Sequence, residues 1–135
     1  MKKIFLLAIT LFILAACSSA GTDITGDWKL ISYGDAAKTT PAIPNVDTSI
    51  KFDSNGQISG NVGCNSFGGN YEVNGDKITF SSIMSTLMYC EETSSQEQAI
   101  LSIFSDNANL KIQMNGETLT ITSADGASVV NLARK

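Results

Sequence analysis

Histidine is absent from the 135 residues. Its absence removes the usual general base, the commonest metal ligand and any serine or cysteine triad of the ordinary kind. Basic residues are scarce, with 9 Lys and Arg against 13 Asp and Glu for a net charge of -4. No basic stripe is available for a phosphate backbone, so nucleic acid is not an expected partner. The two prolines, Pro41 and Pro44, fall together, and Gly34 to Asn45 reads as a loop. The one long apolar run, Ile4 to Leu14, is too short to span a bilayer comfortably. The length suits one domain with one hydrophobic core.

What is present begins with a leader. Met1-Lys-Lys precedes the apolar run, and Ala15-Ala-Cys17-Ser-Ser follows it, the layout of an export signal over residues 1–16. Small residues before the break allow ordinary cleavage after Ala16. Leu14-Ala-Ala-Cys17 also resembles the bacterial lipobox, and by that resemblance Cys17 is the lipidated first residue of the mature chain. Several acyl chains on one cysteine give a stable anchor, because each buried methylene adds about 0.8 kcal/mol. Ser18 stands where aspartate is linked with inner-membrane retention in enteric bacteria, so an outer membrane facing the periplasm is expected. Loss of the leader removes Lys2 and Lys3 and takes the net charge from -4 to -6. Residues 17–23 form a short tether, and the domain is expected over 24–135.

The body of the domain is punctuated by Asn55-Gly56, Asn74-Gly75, Asn115-Gly116 and Asp125-Gly126. Such pairs tolerate the positive φ of hairpin turns. Apolar residues alternate on their flanks: Ile50 and Phe52, Ile58, Tyr71 and Val73, Ile78 and Phe80, Leu110 and Ile112, Leu119 and Ile121. That period of two predicts antiparallel strands with one buried face. Trp28 to Tyr33 reads as the first strand. Ser94 to Asp106 breaks the rhythm, with Ile100, Ile103 and Phe104 at helical spacing and Ser94-x-x-Glu97 matching a capping box. The expected fold is α+β and β-rich, an antiparallel meander curled into a sheet or partial barrel with one packing helix over about 94–106.

Two segments gather the residues of chemical interest, Gly60 to Tyr71 and Ser85 to Cys90. Glycine serves where φ is positive or another backbone comes close, so Gly63, Gly68 and Gly69 mark bends. Cys64 and Cys90 are the pair left over once Cys17 is assigned, and an exported chain favours a structural disulfide between them. A redox pair, a soft-metal site and a catalytic thiol are the alternatives, but no CxxC spacing or basic neighbour supports a lowered thiol pKa. If Lys77 to Cys90 is one continuous strand, Met84, Thr86, Met88 and Cys90 share a face that could hold copper(I); methionine more often fills core space. Asn65 and Thr86 are expected to satisfy backbone groups freed at the bends, with ligand binding as the alternative. Glu91, Glu92 and Asp106 could make an acid pair, although acids at turns and helix ends are usually solvated. No cofactor, metal or catalytic residue is expected.

Gly60-x-x-x-Cys64-Asn65-x-Phe67-x-Gly69-x-Tyr71, followed by Thr86-x-Met88-x-Cys90, resembles the signature of the META domain, the HslJ-like heat-shock lipoprotein family. Gly26-x-Trp28-x-Leu30 and the helix after Cys90 extend the resemblance over about residues 24–133. Leu87 departs from it at a position often basic, and Tyr89 at one often small. The resemblance implies a compact β-rich fold, an envelope location and an association with stress tolerance, and it brings no catalytic residues. Three functions are weighed. The first is a noncatalytic envelope lipoprotein, anchored in the membrane by lipid and binding or supporting another envelope protein. The second is a carrier of a small apolar ligand, with a cavity lined by residues such as Trp28, Phe80 and Phe104. The third is a hydrolase working with carboxylates alone.

Overall fold

The computed structural model describes residues 21–135. The leader, Cys17 and the start of the tether lie outside the described residues. The chain forms β1 (Gly26–Asp35), β2 (Thr40–Pro41), β3 (Ser49–Phe52), β4 (Gln57–Asn61), β5 (Ser66–Asn74), β6 (Lys77–Ser85), α1 (Ser94–Ile103), β7 (Leu110–Asn115), β8 (Thr118–Thr122) and β9 (Ser128–Arg134). Every pairing is antiparallel between successive strands of the meander, with the two-residue β2 beside β1. The expected sheet or partial barrel is in fact a closed eight-stranded barrel, because β1 also pairs with β9 from Trp28↔Arg134 to Asp35↔Ser128. Closure is possible because β1 is ten residues long. Its first residues, Gly26 to Trp28, take β3 on one edge, while the other edge is left for β9.

All four predicted turns carry a glycine with positive φ, at +82° for Gly56, +64° for Gly75, +59° for Gly116 and +75° for Gly126. In two of them the asparagine belongs to the strand. Asn74 pairs with Lys77 and Asn115 with Thr118, so the two-residue loops are Gly75-Asp76 and Gly116-Glu117. Glycine leads each loop, as a type II′ hairpin requires. A register shift between Leu30 and Ser32 changes the inward phase of β1, so Trp28, Leu30 and Tyr33 are buried and Ile31 faces out.

The barrel interior is filled by one cluster that includes Trp28, Ile50, Phe52, Phe80, Leu119, Ile121 and Leu132. Residues 21–25 lie across one end: Ile24 is buried, its carbonyl accepts from Trp28 Nε1 at 2.9 Å, and the Arg134 guanidinium sits 4.4 Å from the indole centroid. At the other end α1 lays Ile100, Ile103 and the following Phe104 onto the core. The helix stops at Ile103, three residues short of the expected limit, where the Phe104 N–H closes the last turn on Ile100 O. Its N-cap is Thr93 without a side-chain cap bond, rather than Ser94. The cavity required of a ligand carrier is absent from its expected place, since Trp28, Phe80 and Phe104 are fully buried and the rings of Phe80 and Phe104 stand 4.6 Å apart.

β6 is not one strand to Cys90. It ends at Ser85, after a bulge at which Ser82 has φ +56° and the register with β5 slips between Gly68 and Asn70. Past Ser85 the partner strand runs out, and the last ladder bond is Thr86 N–H to Ser66 O at 3.0 Å. Met84, Thr86, Met88 and Cys90 therefore do not share a strand face.

Candidate functional site: a clamped apolar ledge

The glycines of the signature act mainly by leaving room. None of Gly63, Gly68 and Gly69 has positive φ. A Cβ on Gly69 would stand 2.6 Å from Ile83 Cδ1 and 3.0 Å from Ser81 O, inside the bulge. One on Gly63 would meet Glu97 Oε1 at 2.6 Å and Thr93 Cβ at 2.8 Å. One on Gly60 would collide with the Ser49 backbone, whereas one on Gly68 would make ordinary contact with Ile58 O at 3.6 Å. Gly60 and Gly63 thus let β4 and its following loop lie tight against β3 and the start of α1.

The loop from Val62 to Asn65 is held by α1. Gln96 and Glu97 are buried in the first turn of the helix. Gln96 Nε2 donates to Val62 O, and its Oε1 accepts from Ile43 N–H at 2.8 Å. Glu97 Oε1 accepts from the N–H groups of Cys64 and of Asn65, the latter at 2.6 Å, and Oε2 accepts from Asn65 Nδ2 at 2.8 Å. Asn65 passes the constraint on. Its Oδ1 accepts from Thr86 Oγ1 and Met88 N–H, both at 2.8 Å, and its Nδ2 also donates to Met88 O at 2.9 Å. Thr86 Oγ1 in turn accepts from Ser66 N–H at 3.2 Å. The Cys64–Cys90 disulfide, with Cα atoms 6.2 Å apart, fixes the far end of the same segment.

Cys64, Asn65, Thr86, Met88 and Cys90 therefore meet at one end of the barrel. Phe67 lies beneath them, its ring 6.2 Å from that of Phe104. Tyr71 belongs elsewhere. It packs edge-on against Phe52 at 5.0 Å and donates its hydroxyl to Asp53 O at 2.7 Å. Burial raises the Tyr71 pKa, helped by the Asp23 and Asp53 carboxylates. Glu91 and Glu92 are exposed, and Asp106 accepts from Ile83 N–H at 3.1 Å, so these acids form no pair. Both cysteine sulfurs are bonded to each other, and no group of three or more Cys, Asp or Glu able to hold a metal ion occurs among the described residues.

Gln96 is the residue that sequence reasoning missed, and Glu97 was read only as a helix cap. The signal was available: positions 96, 97, 100 and 104 recur at helical spacing, which puts both polar side chains on the buried face.

The clamp holds an unusual surface. Leu87 is 94% exposed, Tyr89 82%, Met84 74% and Met88 60%. Isolated exposed apolar residues are ordinary, but a contiguous group marks an interaction site. Between this ledge and the outer face of α1 runs an open groove of about 490 Å³, with Leu87, Met88 and Tyr89 on one wall and Gln98, Leu101 and Ser102 on the other.

A family model described as META domain matches residues 22–135. Similar solved structures include one of a protein from Burkholderia xenovorans, 23% identical, with a TM-score of 0.66 over 82% of this chain and 81% of that one. A DUF4847 family protein from Bacteroides vulgatus is 13% identical, with a TM-score of 0.63 over 82% and 93% of the two chains. An uncharacterised protein from Bacteroides eggerthii is 16% identical, with a TM-score of 0.53 over 82% and 99%. Likeness at these identities is likeness of fold. No curated relative matches the chain.

Proposed function

The chain belongs to the META domain family, and from that premise we propose that it is a noncatalytic lipoprotein of the bacterial envelope. In this reading Cys17 carries the lipid anchor in an outer membrane facing the periplasm, and the apolar ledge is offered to another envelope protein, in support of stress tolerance. The observation that carries the binding role is the ledge, in which Leu87, Met88 and Tyr89 stand more than half exposed on a segment pinned by a disulfide and by Asn65. Loose loops expose apolar groups in passing; this one is ordered in the exposed position. The Glu97 carboxylate, the one buried acid, has both oxygens engaged by the Cys64–Asn65 loop, which supports a structural role for it.

Anchoring rests on Leu14-Ala-Ala-Cys17 behind a basic, apolar leader. Metabolic labelling with a fatty acid tests it. The wild type is expected to take label and to fractionate with membranes, and Cys17→Ser to remain as uncleaved precursor. An unlabelled wild type would overturn the anchored reading.

A further inference from the structure

We propose that the groove beside α1 receives an extended peptide of alternating apolar and basic residues, which pairs as a strand with the free edge of β6. The inference deepens the reading above, since it names the kind of partner the ledge takes.

The backbone supplies the first argument. Thr86 N–H points at β5, where it bonds Ser66 O. In an antiparallel pair successive residues face opposite edges, so the N–H and C=O of Ser85 point away from β5. On that side β7 reaches only Lys77 and Ile78. Asn107 N–H covers Phe80 O at 2.8 Å, and Asp106 covers Ile83 N–H. Neither structural cover extends to Ser85 or Leu87. An uncovered edge beside an apolar groove is the arrangement that strand addition uses: main-chain bonds give affinity and alternate side chains fill the groove.

Charge supplies the second. Between Lys77 and Lys111 the sequence holds Glu91, Glu92, Glu97 and Asp106 and not one Lys or Arg. Of these only Glu97 lines the groove, buried and engaged by the Cys64–Asn65 loop. Glu91 and Glu92 follow the ledge in sequence, and Asp106 sits on Ile83. The charge flanking the groove is thus of one sign, and a complementary ligand is cationic beside its apolar residues. A further constraint comes from where the rest of the chain attaches. Thr22 N–H reaches Gly75 O at 3.4 Å, so the described chain begins beside the Gly75 turn. Eight residue steps of β6 separate that turn from Ser85, roughly 26 Å at strand rise. On the proposed anchoring, Cys17 precedes Gly21 by four residues, a reach of roughly 14 Å at most, so the membrane is held toward the Gly75 end and the groove opens at the other. That placement, with the acidic residues flanking the groove, favours a peptide over a lipid surface. The segment is already ordered by the disulfide and by Asn65, so little freedom remains to be lost on binding.

The test titrates purified full-length chain into three labelled peptides: alternating valine and lysine, alternating valine and glutamate, and the lysine peptide with alternate backbone nitrogens methylated. The lysine peptide is expected to bind saturably and to shift the amide resonances of Ser85 and Leu87. The other two, and the lysine peptide on Leu87→Lys, are expected to bind about tenfold more weakly or worse. Ile31→Lys, on another face, should bind as the wild type does. Leu87 is 94% exposed, so folding of its variant is not at issue. Absent binding of the lysine peptide, or equal binding of its methylated form, overturns the proposal. So does self-association that Leu87→Lys abolishes, which would make a second copy the occupant. Leu87-dependent sedimentation with phosphatidylethanolamine–phosphatidylglycerol vesicles would make it lipid. None of these measurements depends on lipid at Cys17. An unlabelled chain that still binds peptide sinks only the anchored reading, and a labelled chain that does not bind sinks only this one.

Discussion

Removing the Glu97 carboxylate tests the clamp on which the ledge depends. In Glu97→Ala, three donors lose their acceptor: the N–H groups of Cys64 and Asn65 and the Nδ2 of Asn65. An unmade bond at a buried donor costs about 1–3 kcal/mol. Asn65 is buried, while Cys64 is half-buried and open to water, so two donors bear the full cost. The expected loss is about 2–6 kcal/mol. Glu97→Gln is milder. Its carbonyl oxygen keeps both backbone donors, but its amide nitrogen faces Asn65 Nδ2, donor against donor. Asn65 cannot turn over to relieve this, because its Oδ1 already serves Thr86 and Met88. One lost bond puts the glutamine variant about 1–3 kcal/mol below the wild type. Exposed Glu92→Gln should fall within about 0.5 kcal/mol. Urea unfolding with the disulfide intact gives the three values. A glutamine variant as stable as the wild type, or an alanine variant no worse than the glutamine, would refute the hydrogen-bond accounting.

Reduction of Cys64–Cys90 reopens a loop of sequence separation 26, worth roughly 3.5 kcal/mol in the chain-entropy model. The melting temperature should drop by several degrees, since 1 kcal/mol corresponds to about 4–8 °C in somewhat smaller domains; an unchanged value would show that the staple adds nothing. Phe104→Ala should cost about 3–5 kcal/mol, because the ring is fully buried against Phe80. Exposed Lys111→Ala should stay within about 0.5 kcal/mol, and equal urea midpoints for the two would end the helix-packing argument. For Tyr71 the raised pKa means that the fold favours the neutral phenol. Its contribution is whole below the ordinary value near 10 and is lost as pH rises through the folded-state value. Ultraviolet titration should show Tyr71 ionising above that ordinary value, and the stability gap between wild type and Tyr71→Phe should close in alkali. Ionisation at or below it contradicts the assignment.

The local chemistry of the chain was legible, and the long-range chemistry was not. Asn-Gly and Asp-Gly pairs announce turns because one residue must take positive φ, and every such glycine does. Whether the asparagine sits in the loop or ends the strand depends on the pairing register, as Asn74↔Lys77 shows. Closure of the barrel rests on β1 meeting β9, which alternation within either strand cannot disclose. The Asn65–Glu97 contact spans 32 residues and was hidden by a competing local pattern. Ser94-x-x-Glu97 fits a capping box, yet the helix begins one residue earlier and Glu97 turns to another loop. A side chain that can serve its own helix end or a distant backbone goes where burial leaves more donors without water.

Exposure at the ledge bears on function for a related physical reason. Fixing the backbone of one residue costs about 1–2 kcal/mol, and residues 86–90 repay little of that by burial, since all but the half-buried Cys90 are exposed. What holds them is polar and covalent: the Asn65 bonds, Thr86 N–H on Ser66 O, and the disulfide. The anchors of those bonds are buried in turn by Glu97 and by the absence of a side chain at Gly63. A segment serving only to connect β6 to α1 would need none of this, because loops lengthen cheaply. Nor would a stability device place Leu87, Met88 and Tyr89 in water, where their apolar surface contributes nothing. The combination of costly order and unburied apolar groups is accounted for when the missing burial is supplied by a second molecule.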